Sequence, residues 1–390
     1  MMSRINLDEE ITRSNTASLK WDFTEQRFGE KDLLPMWVAD MDFASPIEIV
    51  EALINRAKHP VYGYTAPTDA VYNSVINWMK IKHNWEIKKD WITFSAGVVS
   101  GFSTAILALS EPGDKVLIHT PVYTPFFDSV KSNGRILIEN PLRYIDDTMK
   151  IDFDYLESQL KEGVKLFLLC SPHNPGGIVW RKEDLIKIGE LCVKYNVLII
   201  SDEIHADLCL PGFTHYPIAA LSEAISNITV TLMAPSKTFN VAGIQASLII
   251  CENEKLQKKI NNTQHQIAFH GLNLFALEVI TASYNHCNYW LEDVIQYLQK
   301  NVETVQQFIQ EELPQVKMIT PEASYLIWLD CTALGLNDQE LRQQLIQKGK
   351  IAVSPGYSYG KGGEGYIRLN IGCTHQTVQE GLKRLKLALS

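Results

Sequence analysis

Short apolar runs recur over residues 45–280 and are separated by stretches in which apolar positions follow helical spacing. Several runs are apolar without interruption, as expected for strands of a sheet covered on both faces. The runs predict strands at Lys115–His119, Lys165–Cys170, Val197–Ser201, Ile228–Met233 and Ser247–Cys251. Helices such as Val99–Leu109 and Lys182–Lys194 are predicted between them. Strands that alternate with helices indicate an α/β fold with a mostly parallel central sheet.

The pattern changes beyond residue 280. Apolar positions recur at helical spacing from Leu291 to Ile309, and Pro314 is expected to end this helix. Further strands and helices are predicted at Ser324–Leu329, Gly365–Ile371, Gln339–Lys348 and His375–Leu387. We therefore predict an N-terminal arm over residues 1–45, a large domain over 46–280 and a smaller α+β domain over 281–390. Because the arm is rich in aromatics but lacks a core of its own, we expect it to pack on the small domain.

Composition narrows the class of protein. A chain of 390 residues is too long for one ordinary core, which agrees with two domains. With 36 basic and 45 acidic residues the net charge is −9, which argues against broad binding to the nucleic-acid backbone. The N-terminus has no apolar core typical of a signal peptide, and the longest apolar runs are too short to span a bilayer. We expect a soluble, cytoplasmic protein.

The cysteines and histidines do not form a recognisable metal or disulfide pattern. The seven cysteines are odd in number and widely spaced, and no C-x-x-C pair occurs. The ten histidines show no H-E-x-x-H motif. The sequence therefore predicts reduced thiols and no metal site.

Residues able to do chemistry follow several predicted strands, and in such sheets ligands bind at the carboxyl ends of the strands. Lys237 follows the strand that ends at Met233, within Ala-Pro-Ser-Lys-Thr-Phe-Asn. Partial desolvation lowers the pKa of a lysine, and the neutral amine can form a Schiff base with an aldehyde. The ordinary alternative is a solvated lysine at a strand end.

Two more polar residues stand at strand ends. Asp202 terminates Val-Leu-Ile-Ile-Ser-Asp, where a carboxylate either caps a helix or pairs with a protonated ring nitrogen. Asn174 follows another strand in Ser-Pro-His-Asn-Pro-Gly-Gly, where it either shapes a turn or gives its amide to a ring oxygen.

Three other positions suit the parts of a phosphorylated aromatic ligand and a carboxylate. Gly97, Val98 and Val99 open an apolar helix, whose free N–H groups and dipole favour a phosphate. Tyr123 follows a strand and could stack on an aromatic ring, although most tyrosines only pack. Arg368 lies in an apolar strand, where a guanidinium either joins a structural ion pair or binds a substrate carboxylate.

The order of these segments resembles the fold-type I enzymes that use pyridoxal 5′-phosphate (PLP). The glycine turn, the tyrosine, Asn-Pro-Gly, Asp-Glu-Ile-His, Ser-Lys-Thr-Phe-Asn and the late arginine follow one another as they do in that group. The chain is most similar to the cystathionine β-lyase-like (MalY/PatB) branch of the class I/II aminotransferase family. The segments that carry this resemblance are Lys20–Asp22, Pro35–Phe43, Tyr62–Tyr64 and Pro355–Gly360.

The resemblance implies the PLP-dependent transferase (aspartate aminotransferase-like) fold and a role for each residue. Lys237 is implied to hold PLP covalently, Asp202 to pair with its ring nitrogen and Asn174 to contact its ring oxygen. Tyr123 is implied to stack on the ring. The phosphate is implied to lie on Gly97, Val98 and Val99, the substrate carboxylate on Arg368, and the substrate mouth on Trp37, Val38 and Ala39. Tyr64 is implied to reach the active site of a partner subunit, and hence an obligate homodimer is implied.

Three positions depart from the wider aminotransferase pattern. His205 stands where many transaminases have a tyrosine, although the lyase-like branch often has histidine. Gln245 replaces a phosphate-binding arginine, and Ala234 replaces a residue that often bears a hydroxyl. We therefore expect backbone amides and Ser236 to carry more of the phosphate contact.

The resemblance implies a C–S β-lyase that converts L-cystathionine, cysteine or a related S-conjugate to a thiol, pyruvate and ammonia. An aminotransferase of an L-amino acid is the nearest alternative, since it differs only in where the carbanion is reprotonated. A regulatory protein that retains the fold is a third. Substrate choice is expected to reside in the Trp37 loop, the Asn262–Asn273 segment and the Tyr357–Tyr359 loop.

Overall fold

The computed structural model describes residues 5–390. Its α-helices are α1 (Thr24–Phe28), α2 (Ile47–Lys58), α3 (Asp69–His83), α4 (Val98–Leu109), α5 (Pro125–Ser132), α6 (Phe153–Leu160), α7 (Lys182–Lys194), α8 (Glu223–Ser226), α9 (Pro235–Thr238), α10 (Glu254–Gln266), α11 (Leu274–His286), α12 (Asn288–Glu312), α13 (Asp338–Gln347) and α14 (His375–Leu389).

The strands are shorter and are spread along the whole chain. They are β1 (Leu34–Pro35), β2 (Ile92–Ser95), β3 (Lys115–Thr120), β4 (Ile136–Pro141), β5 (Arg143–Ile145), β6 (Thr148–Lys150), β7 (Val164–Cys170), β8 (Leu198–Asp202), β9 (Thr229–Met233), β10 (Ser247–Ile250), β11 (Lys317–Ile319), β12 (Leu326–Asp330), β13 (Ile351–Ala352), β14 (Ser354–Pro355) and β15 (Tyr366–Asn370).

The main sheet has the strand order β2-β10-β9-β8-β7-β3-β4. The pairs β3–β4, β3–β7, β7–β8 and β8–β9 are parallel, whereas β10 runs antiparallel to both β2 and β9. The prediction of a mostly parallel sheet is therefore confirmed. The predicted strands of this sheet occur with ends that differ by at most one residue, but β2 and β4 at the two edges were not predicted.

Both faces of the main sheet are buried, and β7 shows why its sequence is apolar without alternation. Phe167 and Leu169 point into one cluster of buried side chains, and Leu166 and Leu168 point into another. All four are essentially inaccessible to solvent. Burying such a side chain stabilises the fold by about 1.5–3 kcal/mol, so both faces of this strand contribute to the core.

A second sheet has the order β11-β12-β15-β14 and is antiparallel throughout. The long helix α12 ends two residues before Pro314, as the sequence predicted. Near the N-terminus, Leu34 and Pro35 of β1 pair in parallel with Ile351 and Ala352 of β13. The division into an arm and two domains with the limits given above stays a prediction.

The structure adds three observations on the classes considered above. Between residues 5 and 390, no helix is both long and apolar enough to cross a membrane. The same residues contain no group of three or more His, Cys, Asp or Glu side chains arranged to hold a metal ion. All seven cysteines are free thiols, and six of them are buried.

Candidate active site

A cavity of about 230 Å³ lies at the edge of the main sheet where the parallel strands end. The sequence-predicted residues that line it are Ala39, Gly97, Val98, Val99, Tyr123, Asn174, Asp202, His205, Ser236 and Lys237. They come from segments that are distant in sequence. The sheet brings them together because the carboxyl ends of its parallel strands share one edge.

Lys237 lies in the single-turn helix α9, directly after β9, and its half-buried side chain reaches the cavity. Its Nζ donates a hydrogen bond to the backbone carbonyl of Ala39 at 2.5 Å. Burial lowers the pKa of Lys237 from 10.5 to about 8; the negative charges of Asp40 and Asp202 oppose the shift, and the positive charge of Arg368 adds to it. A larger neutral fraction makes this amine a better nucleophile and base than an exposed lysine.

Asp202 is the last residue of β8, and its carboxyl group is buried at the cavity. Its Oδ1 accepts a hydrogen bond from the backbone N–H of Ile204 at 3.1 Å. Burial raises the pKa of Asp202 from 3.8 to about 7, with a smaller increase from Glu203, while Ile204 and Lys237 act in the opposite direction. A cationic group placed against this carboxyl would favour its ionised form.

The helix α4 points its N-terminus at the cavity. Its N-cap is Gly97, with φ of 112° and ψ of 153°, a conformation found almost solely in glycine. Within residues 5–390, no side chain caps α4, and its first turn carries no acidic residue. The backbone N–H groups of Val98, Val99 and Ser100 therefore remain free to bind an anion, and the helix dipole favours one.

Arg368 lies in β15 and is buried, with 3% of its surface exposed. Its Nη1 donates to Oδ1 of Asn174 at 2.9 Å, and its Nη2 donates to the carbonyl of Trp37 at 2.8 Å and to Oγ of Ser354 at 3.3 Å. All three acceptors are electrically neutral. A buried cation held only by neutral acceptors favours an anionic ligand.

The segment Trp37–Ala39 faces the site with its backbone carbonyls. The carbonyls of Trp37 and Ala39 accept hydrogen bonds from Arg368 and Lys237, and that of Val38 accepts one from a side-chain amide of β15. The ring of Trp37 packs edge-on against Phe28, with the ring centroids 5.4 Å apart. Trp37 and Val38 thus contact β15 through main-chain atoms, and of the three residues only Ala39 lines the cavity.

Tyr123 and His205 lie on opposite sides of Asn174 in sequence but line the same cavity. The backbone N–H of Tyr123 donates to the carbonyl of Asn174 at 3.1 Å, and burial raises the pKa of the Tyr123 hydroxyl. His205 Nδ1 lies 3.1 Å from Oγ of Ser324. Burial, with help from nearby positive side chains, lowers the pKa of His205 to about 3, so its imidazole is neutral at physiological pH.

Tyr64 is the one predicted site residue that stands apart from the others within residues 5–390. It is fully exposed, and its neighbours Val61 and Tyr62 are also exposed. The single chain does not bring Tyr64 to its own cavity, and its role in a partner subunit stays a prediction.

Two residues that differ from the wider aminotransferase pattern, Ala234 and Gln245, lie on either side of Lys237 in the sequence. Ala234 is buried at the end of β9, and Gln245 is exposed with φ of 57°. Ser236 lines the cavity beside Lys237.

Two tyrosines outside the predicted set of site residues contact members of that set. The hydroxyl of Tyr325 donates to the carbonyl of Ala39 at 3.0 Å, and the ring of Tyr359 lies 5.2 Å from Cζ of Arg368. Tyr359 belongs to the Tyr357–Tyr359 loop that was linked to substrate choice. Tyr325 could have been found from its place just before β12, whose first residue pairs with the last residue of β15.

The cavity has the features that PLP requires. It combines a lysine whose pKa is lowered, a buried carboxyl and an uncapped helix N-terminus behind Gly97. The buried Arg368 does not line the cavity itself but is hydrogen-bonded to Asn174, which does. The Nε atom of Arg368 has no hydrogen-bond partner within residues 5–390, which leaves a donor for a ligand. The residues present therefore fit the cofactor.

Comparisons with known proteins agree with this site. The model of the family Aminotransferase class I and II matches residues 31–385. Cystathionine β-lyase PatB of Bacillus subtilis strain 168 is 48% identical over 387 residues, which cover 99% of this chain and all of that protein.

Two solved structures are similar along their whole length. A PLP-bound protein from Clostridium difficile 630, provisionally assigned as an aminotransferase, has a TM-score of 0.97 and 43% identity, covering 99% of this chain and 100% of that one. Cystalysin from Treponema denticola, which contains PLP, has a TM-score of 0.96 and 36% identity, covering 99% of both chains. The chain therefore belongs to the class I and II aminotransferase family of PLP-dependent enzymes, in the branch that contains PatB.

Proposed function

We propose that this enzyme is a C–S β-lyase that cleaves the Cβ–S bond of L-cystathionine, cysteine or a related cysteine S-conjugate. The products are a thiol, pyruvate and ammonia. The observation that carries the proposal is the meeting of Lys237, Asp202 and the Asn174–Arg368 pair around one cavity. Similarity to a cystathionine β-lyase along the full chain supports the same reaction.

Four side chains would hold the cofactor ring. Lys237 would bind the aldehyde carbon covalently, since its amine is partly neutral near physiological pH. Asp202 would pair with the protonated ring nitrogen, which returns the buried carboxyl to its ionised form. Asn174 would donate its amide to the ring oxygen, and Tyr123 would lie against the ring face.

The first turn of α4 would hold the phosphate. Its backbone N–H groups behind Gly97 are free, and the oriented peptide dipoles attract a dianion. Ser236 adds a hydroxyl from the other side of the cavity. Because Gln245 carries no charge, the backbone supplies most of this contact.

Arg368 would bind the α-carboxylate of the substrate. Its planar guanidinium suits two parallel hydrogen bonds to a carboxylate, and its own partners are neutral. The bond to Asn174 fixes the guanidinium relative to the cofactor site, so the substrate Cα is held in one place.

Lys237 moves the proton in this proposal. Once the substrate amine has displaced Lys237 from the aldehyde carbon, the freed lysine amine would take the proton from the substrate Cα, because burial keeps the pKa of this amine near the operating pH. PLP supplies the electron sink for this deprotonation when it is bound. The sulfur would then leave Cβ as a thiolate, and water would hydrolyse the remaining three-carbon enamine to pyruvate and ammonia.

An aminotransferase of an L-amino acid is the second candidate, since the similar Clostridium difficile protein carries that provisional assignment. The same lysine would return the proton to a different carbon, and turnover would need a keto acid.

The two candidates differ in what they require and release. The purified holoenzyme is incubated with L-cystathionine, L-cysteine and a cysteine S-conjugate, each with and without a keto acid, and pyruvate and free thiol are measured. We expect both products without a keto acid, and loss of both in Lys237→Ala. Turnover only when a keto acid is present, with no thiol, would support the aminotransferase instead.

We also propose a homodimer in which Tyr64 of one subunit completes the active site of the other. The exposed segment Val61–Tyr64 and the exposed apolar side chains of α2, Ile47, Val50 and Ile54, supply a surface that a second subunit would cover.

The seven free thiols support a cytoplasmic location, because reducing conditions keep cysteines unpaired.

A further inference from the structure

The carboxylate of Asp207 is buried near Lys237 and takes no part in the chemistry described above. Its side chain is 7% exposed. Its Oδ1 accepts a hydrogen bond from Nε1 of Trp78 at 3.1 Å and lies 2.8 Å from Nε2 of His83. Its Oδ2 accepts a hydrogen bond from the hydroxyl of Thr238 at 2.7 Å. Each carboxylate oxygen therefore has a hydrogen-bond partner. Asp207 itself is not among the residues that line the cavity.

The carboxylate of Asp207 joins three separate parts of the fold. Trp78 and His83 belong to α3, Thr238 is the last residue of α9, and Asp207 follows β8. Burial alone would raise the pKa of Asp207, but the hydrogen bonds from His83, Thr238 and Trp78 outweigh it and hold the pKa below its usual value. The group is therefore ionised at neutral pH, and its hydrogen bonds are charge-assisted.

The helix that carries Lys237 depends on contacts with other elements for its conformation. Helix α9 has four residues, which is too short to be stable without tertiary contacts. Thr238 follows Lys237 directly and is fully buried. Asp207 lies five residues after Asp202 on the segment that leaves β8. The hydrogen bond between Thr238 and Asp207 thus connects the lysine segment to the aspartate segment.

We propose that Thr238 and Asp207 are positioning residues, whose hydrogen bond holds the amine of Lys237 in reactive geometry relative to Asp202. The inference rests on the proposed function, because it assigns Lys237 the proton transfer. A displacement of about 1 Å at a reacting group can lower a rate by about a hundredfold. Loss of this one bond is therefore expected to act on kcat more than on KM.

The test compares two buried threonines that stand seven residues apart. Thr238→Val removes the hydroxyl that binds Asp207, and Thr238→Ser keeps a hydroxyl there. Thr231→Val is the matched control, because Thr231 in β9 is equally buried and its hydroxyl has no hydrogen-bond partner within residues 5–390. Each holoenzyme is measured for kcat, for KM and for the pH midpoint at which the absorption band of bound PLP changes.

We expect Thr238→Val to lower kcat by about 10- to 100-fold with a much smaller change in KM. The pH midpoint of the absorption band is expected to shift by at least about 0.5 unit, since the environment of the lysine nitrogen changes. Thr238→Ser and Thr231→Val are expected to stay within about threefold of the wild-type kcat and to keep its midpoint.

Equal behaviour of Thr238→Val and Thr231→Val would overturn the proposal, as would a variant that loses thermal stability but keeps both kcat and midpoint. If Thr238→Val gives no folded holoenzyme, Thr238→Ala is compared with Thr231→Ala in the same way. The absorption midpoint needs PLP but no substrate. A wild-type protein that releases no pyruvate would therefore refute the lyase, while a shifted midpoint in Thr238→Val would still support the positioning role.

Discussion

At the scale of single residues, Asp202 and Lys237 are placed beside the cavity where their charged forms are disfavoured. Burial raises the pKa of Asp202 and lowers that of Lys237. Both shifts mean that the folded protein without cofactor holds these groups at a cost in stability. The side chains most suited to binding PLP should therefore be unfavourable in its absence.

Asp202→Asn is expected to make the cofactor-free protein more stable than the wild type at pH 8. The folded pKa of Asp202, about 7, exceeds its ordinary value of 3.8. Its contribution is therefore fully present below pH 3.8 and is lost as pH rises through about 7, whereas asparagine does not titrate. The gain should reach at most about 4 kcal/mol at pH 8 and shrink toward pH 4, as measured by urea unfolding of the apoprotein.

The holoenzyme provides the control for this prediction. With PLP bound, the carboxylate has a cationic partner, so Asp202→Asn should weaken cofactor retention although it stabilises the apoprotein. A stability difference between the two apoproteins that does not change with pH would contradict the assigned titration.

Arg368→Lys is expected to lower kcat/KM by about 10²- to 10³-fold. Lysine keeps the charge but loses the planar fork, and the hydrogen bond to Asn174 has a different reach. The measurement is initial-rate kinetics with the best substrate, alongside the PLP absorption spectrum, which should be retained. Arg143→Lys is the control, because the Arg143 side chain is 64% exposed, and it should leave kcat/KM within about twofold. A change of less than about threefold in Arg368→Lys would argue against carboxylate binding there.

At the scale of elements, the N-terminus of α4 depends on one backbone conformation. Gly97→Ala is expected to cost about 1–3 kcal/mol, because φ of 112° is strained for any residue with a Cβ. The added methyl itself meets nothing within 4 Å, so the cost comes from the backbone. If the helix start shifts to relieve this strain, PLP binding should weaken by about tenfold or more.

Gly243→Ala is the matched control for this helix. Gly243 lies near the cavity, its φ is not positive, and a Cβ there also meets nothing within 4 Å. PLP dissociation constants of both variants are measured by equilibrium dialysis. Equal affinities would show that the position of Gly97 does not matter for the phosphate.

The N-terminal region is held by a buried ion cluster next to the Trp37–Ala39 segment. Nζ of Lys20 lies 2.6 Å from Asp42 and is 1% exposed. Lys20→Met should destabilise the protein by up to about 3 kcal/mol, because it removes the buried cation of the cluster and leaves Arg13 to balance the carboxylates of both Asp40 and Asp42. Lys31→Met is the control, since its pair with Glu25 is largely exposed, and should cost less than about 1 kcal/mol. Urea unfolding measures both, and similar costs would contradict the assigned importance of burial.

Elements with a continuous apolar signal could be predicted from sequence, and those without it could not. The strand β7 is apolar on both faces, and α12 has a sustained helical period with a proline after it. The edge strands are different: in β4 the sequence Ile-Leu-Ile-Glu-Asn-Pro carries polar residues, and most of its positions are only partly buried. Whether such a segment forms a strand depends on the neighbouring strand with which it pairs. That neighbour cannot be identified from a short stretch of sequence.

At the scale of the whole molecule, the proposed dimer gives a test that uses two inactive variants. Tyr64→Ala removes the residue that each subunit contributes to its partner's active site. Lys237→Ala removes the residue that each subunit contributes to its own active site. Each homodimer is expected to have little activity. Subunits mixed after mild denaturation should form hybrids in which one of the two sites is intact.

The readout is pyruvate release from L-cystathionine by the mixture compared with each parent. Recovery of activity above both parents supports the shared site. A Tyr64→Ala protein that keeps wild-type kcat/KM, or a chain that sediments as a monomer, would contradict it.

The candidate site could be predicted because its main residues stand at the ends of recognisable strands. Lys237, Asp202 and Asn174 all follow apolar runs, and one edge of the sheet gathers them. The residues that hold these site residues in place could not be predicted. Asp207, for example, lies 129 residues from its partner Trp78, and its importance comes from burial and from contacts. Tyr64 was identified through the resemblance alone, and no contact in the single chain bears on it.

The reversed direction of β10 has a consequence for how this enzyme can diverge. The segment 234–246 leaves the sheet at the end of β9 and rejoins it at the start of β10, which lies at the same edge because the two strands are antiparallel. Lys237 therefore lies on a connection whose two ends are both fixed by neighbouring strands of the sheet. An insertion or deletion within residues 234–246 would therefore shift the position of the Lys237 amine. A change in length after Ile250 would instead lie at the opposite edge of the sheet, away from the cavity.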